Sequence, residues 1–227
     1  MMSFSLQFVL VLIGTFMIAL VLTPLVRLFS FKIDAVDYPN ARRINTKPMP
    51  SAGGLAIVIA FSIATLVFIP MLTSTTAPIK SYLSYTLPVV GAGWIIALTG
   101  LIDDVKELSA KKKMIGILLA ASLVWFLTDF RLNDFKIPFG GPLLHFEPWL
   151  SYLLTVIWIV AITNAVNLID GLDGLVSGVS IISLVTMGIV SYFFLPVPNL
   201  FLTMTIFVLV ASIAGFFPFN YHPAILY

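Results

Sequence analysis

The sequence contains no cysteine and few charged residues. Its 227 residues include 12 Lys+Arg, 10 Asp+Glu and 2 His, so that 10% are charged and 60% are hydrophobic. Without cysteine, a disulfide framework, a thiolate metal site and a cysteine nucleophile are excluded. Soluble domains carry about 25% charged residues, so the composition argues against a soluble protein. A net charge of +2 is too small to favour nucleic acid as a partner.

Long apolar runs make up most of the chain. A helix needs about 20 apolar residues to cross a bilayer, and seven runs approach that length: residues 4–26, 54–72, 87–102, 114–128, 150–162, 175–195 and 200–217. The runs that begin at 114 and 150 are short, so we expect their helices to extend into flanking polar residues. The sequence therefore predicts an all-α polytopic membrane protein with about seven transmembrane helices in a single domain, residues 1–227.

Lysine and arginine are distributed unequally between the two sets of loops. Nine lie in segments 27–53, 103–113, 163–174 and 218–227, and three lie in segments 73–86, 129–149 and 196–199. Cytoplasmic loops carry the excess of positive charge, so the first set is predicted to be cytoplasmic and the amino terminus outside. Within the outer segment, residues 131–147 contain a Gly-Gly-Pro turn between short alternating stretches, which predicts a small β-hairpin.

Two carboxylates follow the third apolar run. Asp103 and Asp104 are adjacent anions at a predicted helix C-terminus, where they oppose the helix dipole and repel each other. Mg²⁺ could offset them, because it prefers carboxylate and phosphate oxygens. The lysines one loop later could supply the same countercharge, namely Lys111, Lys112 and Lys113. A solvated loop of mixed charge is the alternative.

A second polar cluster follows the fifth run. Its four oxygen-bearing side chains are spaced three residues apart: Asn164, Asn167, Asp170 and Asp173. Successive steps of three drift by about 60° around a helix, so a continuous helix would not bring all four together. Gly171 and Gly174 predict that the helix unwinds there and that a ligand can approach closely. An ordinary polar cap and turn is the alternative.

The first cytoplasmic loop ends in two glycines, Gly53 and Gly54, directly before the second run. A helix N-terminus preceded by glycines, with Lys47 nearby, suits an anionic phosphate, although a positive-inside loop has the same composition. Together the polar segments offer a metal site, an anion site and lysines at one membrane face. That combination favours phosphoryl transfer with a lipid substrate. An ion-coupled transporter and a non-catalytic membrane scaffold are the competing classes.

The motifs, taken in order, resemble those of the polyprenyl-phosphate sugar-1-phosphate transferases, glycosyltransferase family 4. The similarity is carried by Asp37-x-Pro39-x-x-Arg42 with Pro50-x-x-Gly53-Gly54, by Asp103-Asp104, by Asn164-x-x-Asn167-x-x-Asp170-Gly-Leu-Asp173-Gly, and by Phe219-Asn220-x-x-Pro223-Ala224. The resemblance implies Mg²⁺-dependent transfer of N-acetylglucosamine-1-phosphate from UDP-N-acetylglucosamine to undecaprenyl phosphate, releasing UMP. This step would begin teichoic acid or surface polysaccharide synthesis.

The residues Pro50-Ser-Ala-Gly53-Gly54 are more similar to the N-acetylglucosamine branch than to the phospho-N-acetylmuramoyl-pentapeptide transferases of peptidoglycan synthesis, which are the alternative. The resemblance also implies a bacterial cytoplasmic membrane protein with its active site facing the cytoplasm. Its implied partners are a UDP-sugar, the undecaprenyl phosphate lipid and the membrane, with a homodimer as a candidate assembly.

The resemblance further implies roles for individual residues. The expected catalytic residues are Asp103 as the base, Asp104 and Asp170. The expected ligands of Mg²⁺, with Mn²⁺ as the alternative metal, are Asn167, Asp170 and Asp104. The expected substrate-binding residues are Lys47, Asn164, Asp173, Lys111, Lys112 and Lys113.

Family members continue beyond the Pro-Ala motif with a Gly-Asp-x-Gly-Ser-type segment that carries another acidic residue. We therefore expect this sequence to be a C-terminally truncated form that is inactive as isolated residues 1–227.

Overall fold

Long helices dominate the computed structural model, which describes residues 4–39, 48–73, 79–195 and 199–227. Over these ranges the α-helices are α1 (Phe4–Lys32), α2 (Gly54–Ile63), α3 (Ile69–Thr73), α4 (Ile79–Lys106), α5 (Ala110–Leu127), α6 (Pro148–Ile169), α7 (Leu175–Phe193) and α8 (Leu200–Asn220). A π-helical segment, Ala64–Phe68, joins α2 to α3. Four short strands form two antiparallel pairs: β1 (Val36–Asp37) with β2 (Met49–Pro50), and β3 (Asp134–Lys136) with β4 (Leu143–His145).

Six helical segments in the described ranges are long and apolar enough to cross a membrane: Ser5–Lys32, Gly54–Leu72, Tyr82–Lys106, Pro148–Ile169, Leu175–Phe193 and Leu200–Asn220. The all-α membrane fold is therefore confirmed. The remaining predicted run lies in α5, whose 18 residues include three lysines near its start. Seven crossings and an outer amino terminus stay predictions.

The two short apolar runs were predicted to lie in longer helices, and the structure confirms this extension. The run from 150 to 162 lies within α6, which continues to Ile169, and the run from 114 lies within α5, which begins at Ala110. Helices satisfy their backbone groups internally, which an apolar solvent requires. Hydroxyl groups in α1 follow the same rule, since Thr15, Thr23 and Ser30 each donate to the carbonyl four residues earlier.

The core lies where α1, α2, α4 and α8 pack together. One buried cluster contains Phe61, Tyr82, Met204 and Val208. A second cluster, nearer the β1–β2 pair, contains Val26, Ala35, Ala52, Leu55 and Ala56. This second cluster holds the start of α2 against the end of α1.

The hairpin predicted within residues 131–147 is confirmed as the β3–β4 pair. Its register places Asp134 opposite His145, Phe135 opposite Leu144 and Lys136 opposite Leu143. It connects α5 to α6 at the end of the bundle away from Asp103 and Asp170. We call the end that carries those two carboxylates the acidic side.

Candidate active site

The polar cluster after α6 spans a helix end and a turn. Asn164 and Asn167 lie on α6, which ends at Ile169, and residues 170–174 form the turn before α7. Gly174 has a φ of +70°, a left-handed conformation that glycine adopts without strain. The predicted break in the helix is therefore confirmed, and Asp170 and Asp173 project from the turn rather than from one helix face.

Asp173 binds the last residues of the chain, 221–227, which we call the strap. Its Oδ2 accepts hydrogen bonds from the backbone N–H of Ala224 at 3.0 Å and from Nδ1 of His222 at 2.8 Å. Its Oδ1 accepts one from the hydroxyl of Tyr227 at 2.6 Å. The Ala224 N–H, followed by the Tyr227 hydroxyl, lowers the pKa of Asp173, because hydrogen bonds to a carboxylate favour its charged form.

The strap also pairs with the loop that precedes α2. The Tyr227 N–H donates to the carbonyl of Pro50 at 2.9 Å, and the Gly53 N–H donates to the carbonyl of Tyr227 at 2.7 Å. A Cβ at Gly53 would lie 2.5 Å from that carbonyl oxygen and 2.6 Å from the ring of Phe216. Only glycine allows this approach. The sequence predicts that Gly53 and Gly54 let a phosphate come close to the backbone, but in the structure Gly53 is occupied by the strap.

Side chains from α1, α7 and α8 hold the strap as well. Nε of Arg27 donates to the carbonyl of Ile225 at 3.2 Å. Asn220 is buried, donates to the carbonyl of Leu226 at 3.2 Å and accepts from the hydroxyl of Ser177 at 2.8 Å. The strap thus links the first, third and fourth sequence motifs into one structure.

The adjacent carboxylates at the end of α4 have different surroundings. Asp103 accepts a hydrogen bond from the Leu108 N–H at 2.8 Å, and Nζ of Lys113 lies 2.5 Å from its other oxygen. The lysine countercharge that the sequence allowed is therefore present, and it serves Asp103. Lys111 and Lys112 are exposed and, within the described ranges, have no such partner.

Asp104 lines a pocket instead. The pocket has a volume of about 150 Å³ and is lined by Ser51, Ala52, Gly54, Leu55, Ala97, Gly100, Leu101 and Asp104. Ser51 lies beside Asp104 at the polar end, and the remaining wall consists of small and apolar residues. The pocket therefore has one polar end beside an apolar groove between α2 and α4, a shape suited to the head of an amphiphile.

Asp170 lies in the turn that follows α6. Although the residue is exposed, neighbouring atoms displace enough water to raise the pKa of its carboxyl. No side chain in the described ranges donates a hydrogen bond to it or forms an ion pair with it. Burial, together with the charges of Asp173, Asp170 and Asp37, raises the pKa of Tyr227 to about 12.

These electrostatic interactions show that the motifs lie near one another on the acidic side. Tyr227 interacts with Asp37, Asp170 and Asp173, and Asp104 interacts with Asp37. Carboxylates from all three acidic segments therefore share one region at the ends of α4 and α6.

The carboxylates on the acidic side fit Mg²⁺ only if the substrate supplies further oxygen ligands. Among the described residues, no group of three His, Asp or Glu side chains could hold a metal by itself. Mg²⁺ is usually held by one or two carboxylates together with substrate phosphates. Asp104 and Asp170 form no ion pair with a described lysine or arginine, although Lys113 is near enough to act on the charge of Asp104, and both carboxylates fit such a shared site. A metal held by the described side chains alone does not fit.

The structure does not bring every predicted site residue into this region. Lys47 lies outside the described residues. Asn164 donates to the carbonyl of Val160, on its own helix, at 2.8 Å, and Asn167 is exposed on α6. Sequence reasoning missed Ser51 and the strap residue Tyr227; the only signal for the strap was its position next to the Phe219-Asn220 motif.

The sequence profile of Glycosyl transferase family 4 matches residues 86–227. The chain is 37% identical over 219 residues to a Bacillus subtilis (strain 168) protein named probable undecaprenyl-phosphate N-acetylglucosaminyl 1-phosphate transferase, a match that covers 96% of the chain and 57% of that protein. It is 34% identical over 143 residues to the Mycolicibacterium smegmatis decaprenyl-phosphate N-acetylglucosaminephosphotransferase, covering 62% of the chain and 34% of that protein.

A third relative carries a different name. The chain is 32% identical over 229 aligned residues to the phospho-N-acetylmuramoyl-pentapeptide-transferase of Staphylococcus saprophyticus, covering 95% of the chain and 68% of that protein. The chain thus spans little more than half the length of its Bacillus relative, at 57%.

Proposed function

Because the chain belongs to glycosyl transferase family 4, we propose that it transfers N-acetylglucosamine-1-phosphate from UDP-N-acetylglucosamine to undecaprenyl phosphate. The observation that carries the proposal is the convergence of Asp104, Asp170 and the strap at one end of a helical membrane bundle. The names of the Bacillus and Mycolicibacterium relatives support this sugar and this class of lipid.

The reaction is a phosphoryl transfer. An oxygen of the lipid phosphate attacks the β-phosphorus of the UDP-sugar, a new P–O bond forms, and the bond from that phosphorus to the bridging oxygen breaks. UMP leaves with the electron pair of that bond. The protein's task is to position the two phosphates and to neutralise the charge that develops on their oxygens.

Asp104 would act on the lipid substrate. It lies at the polar end of the pocket whose other residues are small or apolar, so the first carbons of the lipid would lie along Leu55 and Leu101. In this position its carboxylate accepts the proton of the lipid phosphate or orients that phosphate for attack. Asp103, the base expected from the resemblance, is engaged by Lys113 and the Leu108 N–H and would instead hold α5 against the end of α4.

Asp170 and Asp104 would hold Mg²⁺ together with the diphosphate. When bound, the metal supplies charge neutralisation at the phosphate oxygens. Asn167 lies on α6 about one turn before Asp170, and its amide oxygen would be a further ligand of the metal. Lys111 and Lys112 are exposed in the first turn of α5 and would bind the nucleotide phosphates. Lys47 is proposed to bind substrate phosphate as well.

An assay of membranes that carry the protein at its natural length tests the proposal. Labelled UDP-N-acetylglucosamine, undecaprenyl phosphate and Mg²⁺ should give a labelled lipid and UMP, and a chelator should stop the reaction. UDP-N-acetylmuramoyl-pentapeptide, added unlabelled, should compete weakly. Strong competition would favour the function named for the Staphylococcus relative, and absence of labelled lipid would contradict the proposed reaction.

A further inference from the structure

The β3–β4 hairpin has one apolar face and one mainly polar face. Side chains alternate between the faces of a strand, and the register puts Phe135 directly opposite Leu144. The other face carries Asp134 opposite His145 and Lys136 opposite Leu143, and Nδ1 of His145 is 2.5 Å from Oδ1 of Asp134. Three of the four side chains on that second face are therefore polar, whereas both on the first face are apolar.

The described part of the protein does not cover the apolar face. Phe135 is 52% exposed and Leu144 is 41% exposed. The protein holds the hairpin at its base, where the Leu132 N–H donates to Oγ1 of Thr155 at 3.0 Å. A two-stranded hairpin without a partner for its apolar face is marginally stable in water.

The tip of the hairpin carries an exposed aromatic residue, Phe139, in a strained backbone conformation. Phe139 has a φ of +59° and Gly140 a φ of +85°, and the Gly141 N–H donates to the Pro138 carbonyl at 3.4 Å. Two successive positive φ angles are typical of a type I′ turn, which favours Asn-Gly. A bulky residue in this conformation is strained. Phe139 is moreover fully exposed, so neither the turn nor the fold explains why an aromatic residue occupies this position.

The hairpin's location indicates which partner would cover it. It leads directly into α6, a candidate membrane span, whose first turn exposes Trp149 by 68%, and it follows the end of α5, where Phe126 is 62% exposed. Aromatic residues are enriched at membrane–water interfaces. Residues 129–147 contain three acidic and two basic side chains, so apolar contact, and not attraction to anionic headgroups, would hold the hairpin there.

We propose that the apolar face (Phe135 and Leu144) and the tip (Phe139) of this hairpin insert into the lipid interface on the side of the membrane opposite the acidic side. The lipid surface is the partner because the hairpin joins the ends of α5 and α6, where Phe126 and Trp149 are exposed and where α6 begins a candidate membrane span. The inserted hairpin fixes the depth of α6 in the bilayer. Since the opposite end of α6 leads into Asp170, it also fixes the depth at which that carboxylate lies.

The absence of native cysteine allows a direct test by spin labelling. Single variants Phe135→Cys, Phe139→Cys and Lys136→Cys would carry a nitroxide in vesicles of phosphatidylethanolamine and phosphatidylglycerol. Position 136 is the matched control, because it neighbours 135 on the polar face. We expect collisions with O₂, relative to a water-soluble nickel chelate, to be several-fold more frequent at 135 and 139 than at 136.

Two results would overturn the proposal. Equal nickel accessibility at 135 and 136 would place the apolar face in water. Exclusion of both O₂ and nickel at 135 would instead show a contact between protein copies.

A further variant, Phe139→Asn, tests the tip. Asparagine suits the turn, so this variant should preserve thermal stability in detergent while moving the label at 135 toward water. An unchanged label depth in that variant would show that the tip is not inserted.

Discussion

At the scale of single residues, Asp170 and Asp173 lie three positions apart but have opposite environments. Three donors from the strap stabilise the charge of Asp173, whereas desolvation alone acts on Asp170 and raises the pKa of its carboxyl. We therefore interpret Asp173 as the residue that holds the site together, and Asp170 as the one available to a ligand. The nucleotide role expected for Asp173 stays a prediction.

The strap should detach from Asp173 as the pH falls. Because the pKa of Asp173 is lower in the folded protein than in the unfolded chain, its stabilisation is present above the ordinary value of about 4 and is lost as pH falls through the folded value. Thermal unfolding in detergent should show the natural protein more stable than Asp173→Asn at pH 7, with the difference disappearing on acidification. Asp129→Asn, an exposed carboxylate elsewhere, should show no comparable loss; a constant difference at all pH values would contradict this account.

Gly53 offers a test with a neighbouring control. Gly53→Ala should destabilise the protein by about 1–3 kcal/mol, the usual effect of inserting a methyl group into a packed region, because the new Cβ would meet the Tyr227 carbonyl and the Phe216 ring. Gly54→Ala should be neutral or slightly stabilising, since no atom lies within 4 Å of its Cβ position. Thermal unfolding of both variants measures the contrast, and equal stabilities would show that the strap is not docked there.

At the scale of elements, the two carboxylates in the last turn of α4 have different proposed roles: Asp103 holds α5 through Lys113, and Asp104 acts on the substrate. Asp104→Asn should lower turnover by about 100-fold or more, the lower range for loss of a proton-transfer group. Asp103→Asn should have a smaller effect, because it removes a partly exposed ion pair with Lys113. Initial rates of lipid labelling measure both variants. A greater loss in Asp103→Asn would return the role of base to Asp103, as the sequence resemblance implied.

Elements with a local signal were predictable from the sequence. Apolar length predicted the long helices, Gly171 and Gly174 predicted the turn after α6, and the Gly-Gly-Pro stretch predicted the hairpin. The strap was not predictable, because its contacts with Asp173 join residues 49 to 54 positions apart in the chain, and its contact with Arg27 joins residues 198 positions apart. The different surroundings of Asp103 and Asp104 were not predictable either. They depend on how α5 and α2 pack against α4, and the two residues are adjacent in the sequence, so no local pattern distinguishes them.

At the scale of the whole molecule, the acidic side should face the cytoplasm. The loops on that side contain nine of the twelve lysine and arginine residues, and positive loops are retained inside. In intact cells, a membrane-impermeant maleimide should label Lys136→Cys, whereas Lys112→Cys should react only after permeabilisation. The reverse pattern would invert the topology and place the proposed site on the side without cytoplasmic nucleotide sugars.

The transfer reaction itself is tested most directly by following each phosphorus atom of the donor. Membranes that carry the protein at its natural length would receive UDP-N-acetylglucosamine labelled with ³²P at either the α- or the β-phosphate, together with undecaprenyl phosphate and Mg²⁺. The proposed mechanism predicts that the β-label enters the lipid and the α-label leaves as UMP, and that both processes slow by about 100-fold or more in Asp104→Asn. Release of the β-label in UDP, or transfer of the sugar without phosphorus, would contradict the assignment of this protein as a sugar-1-phosphate transferase.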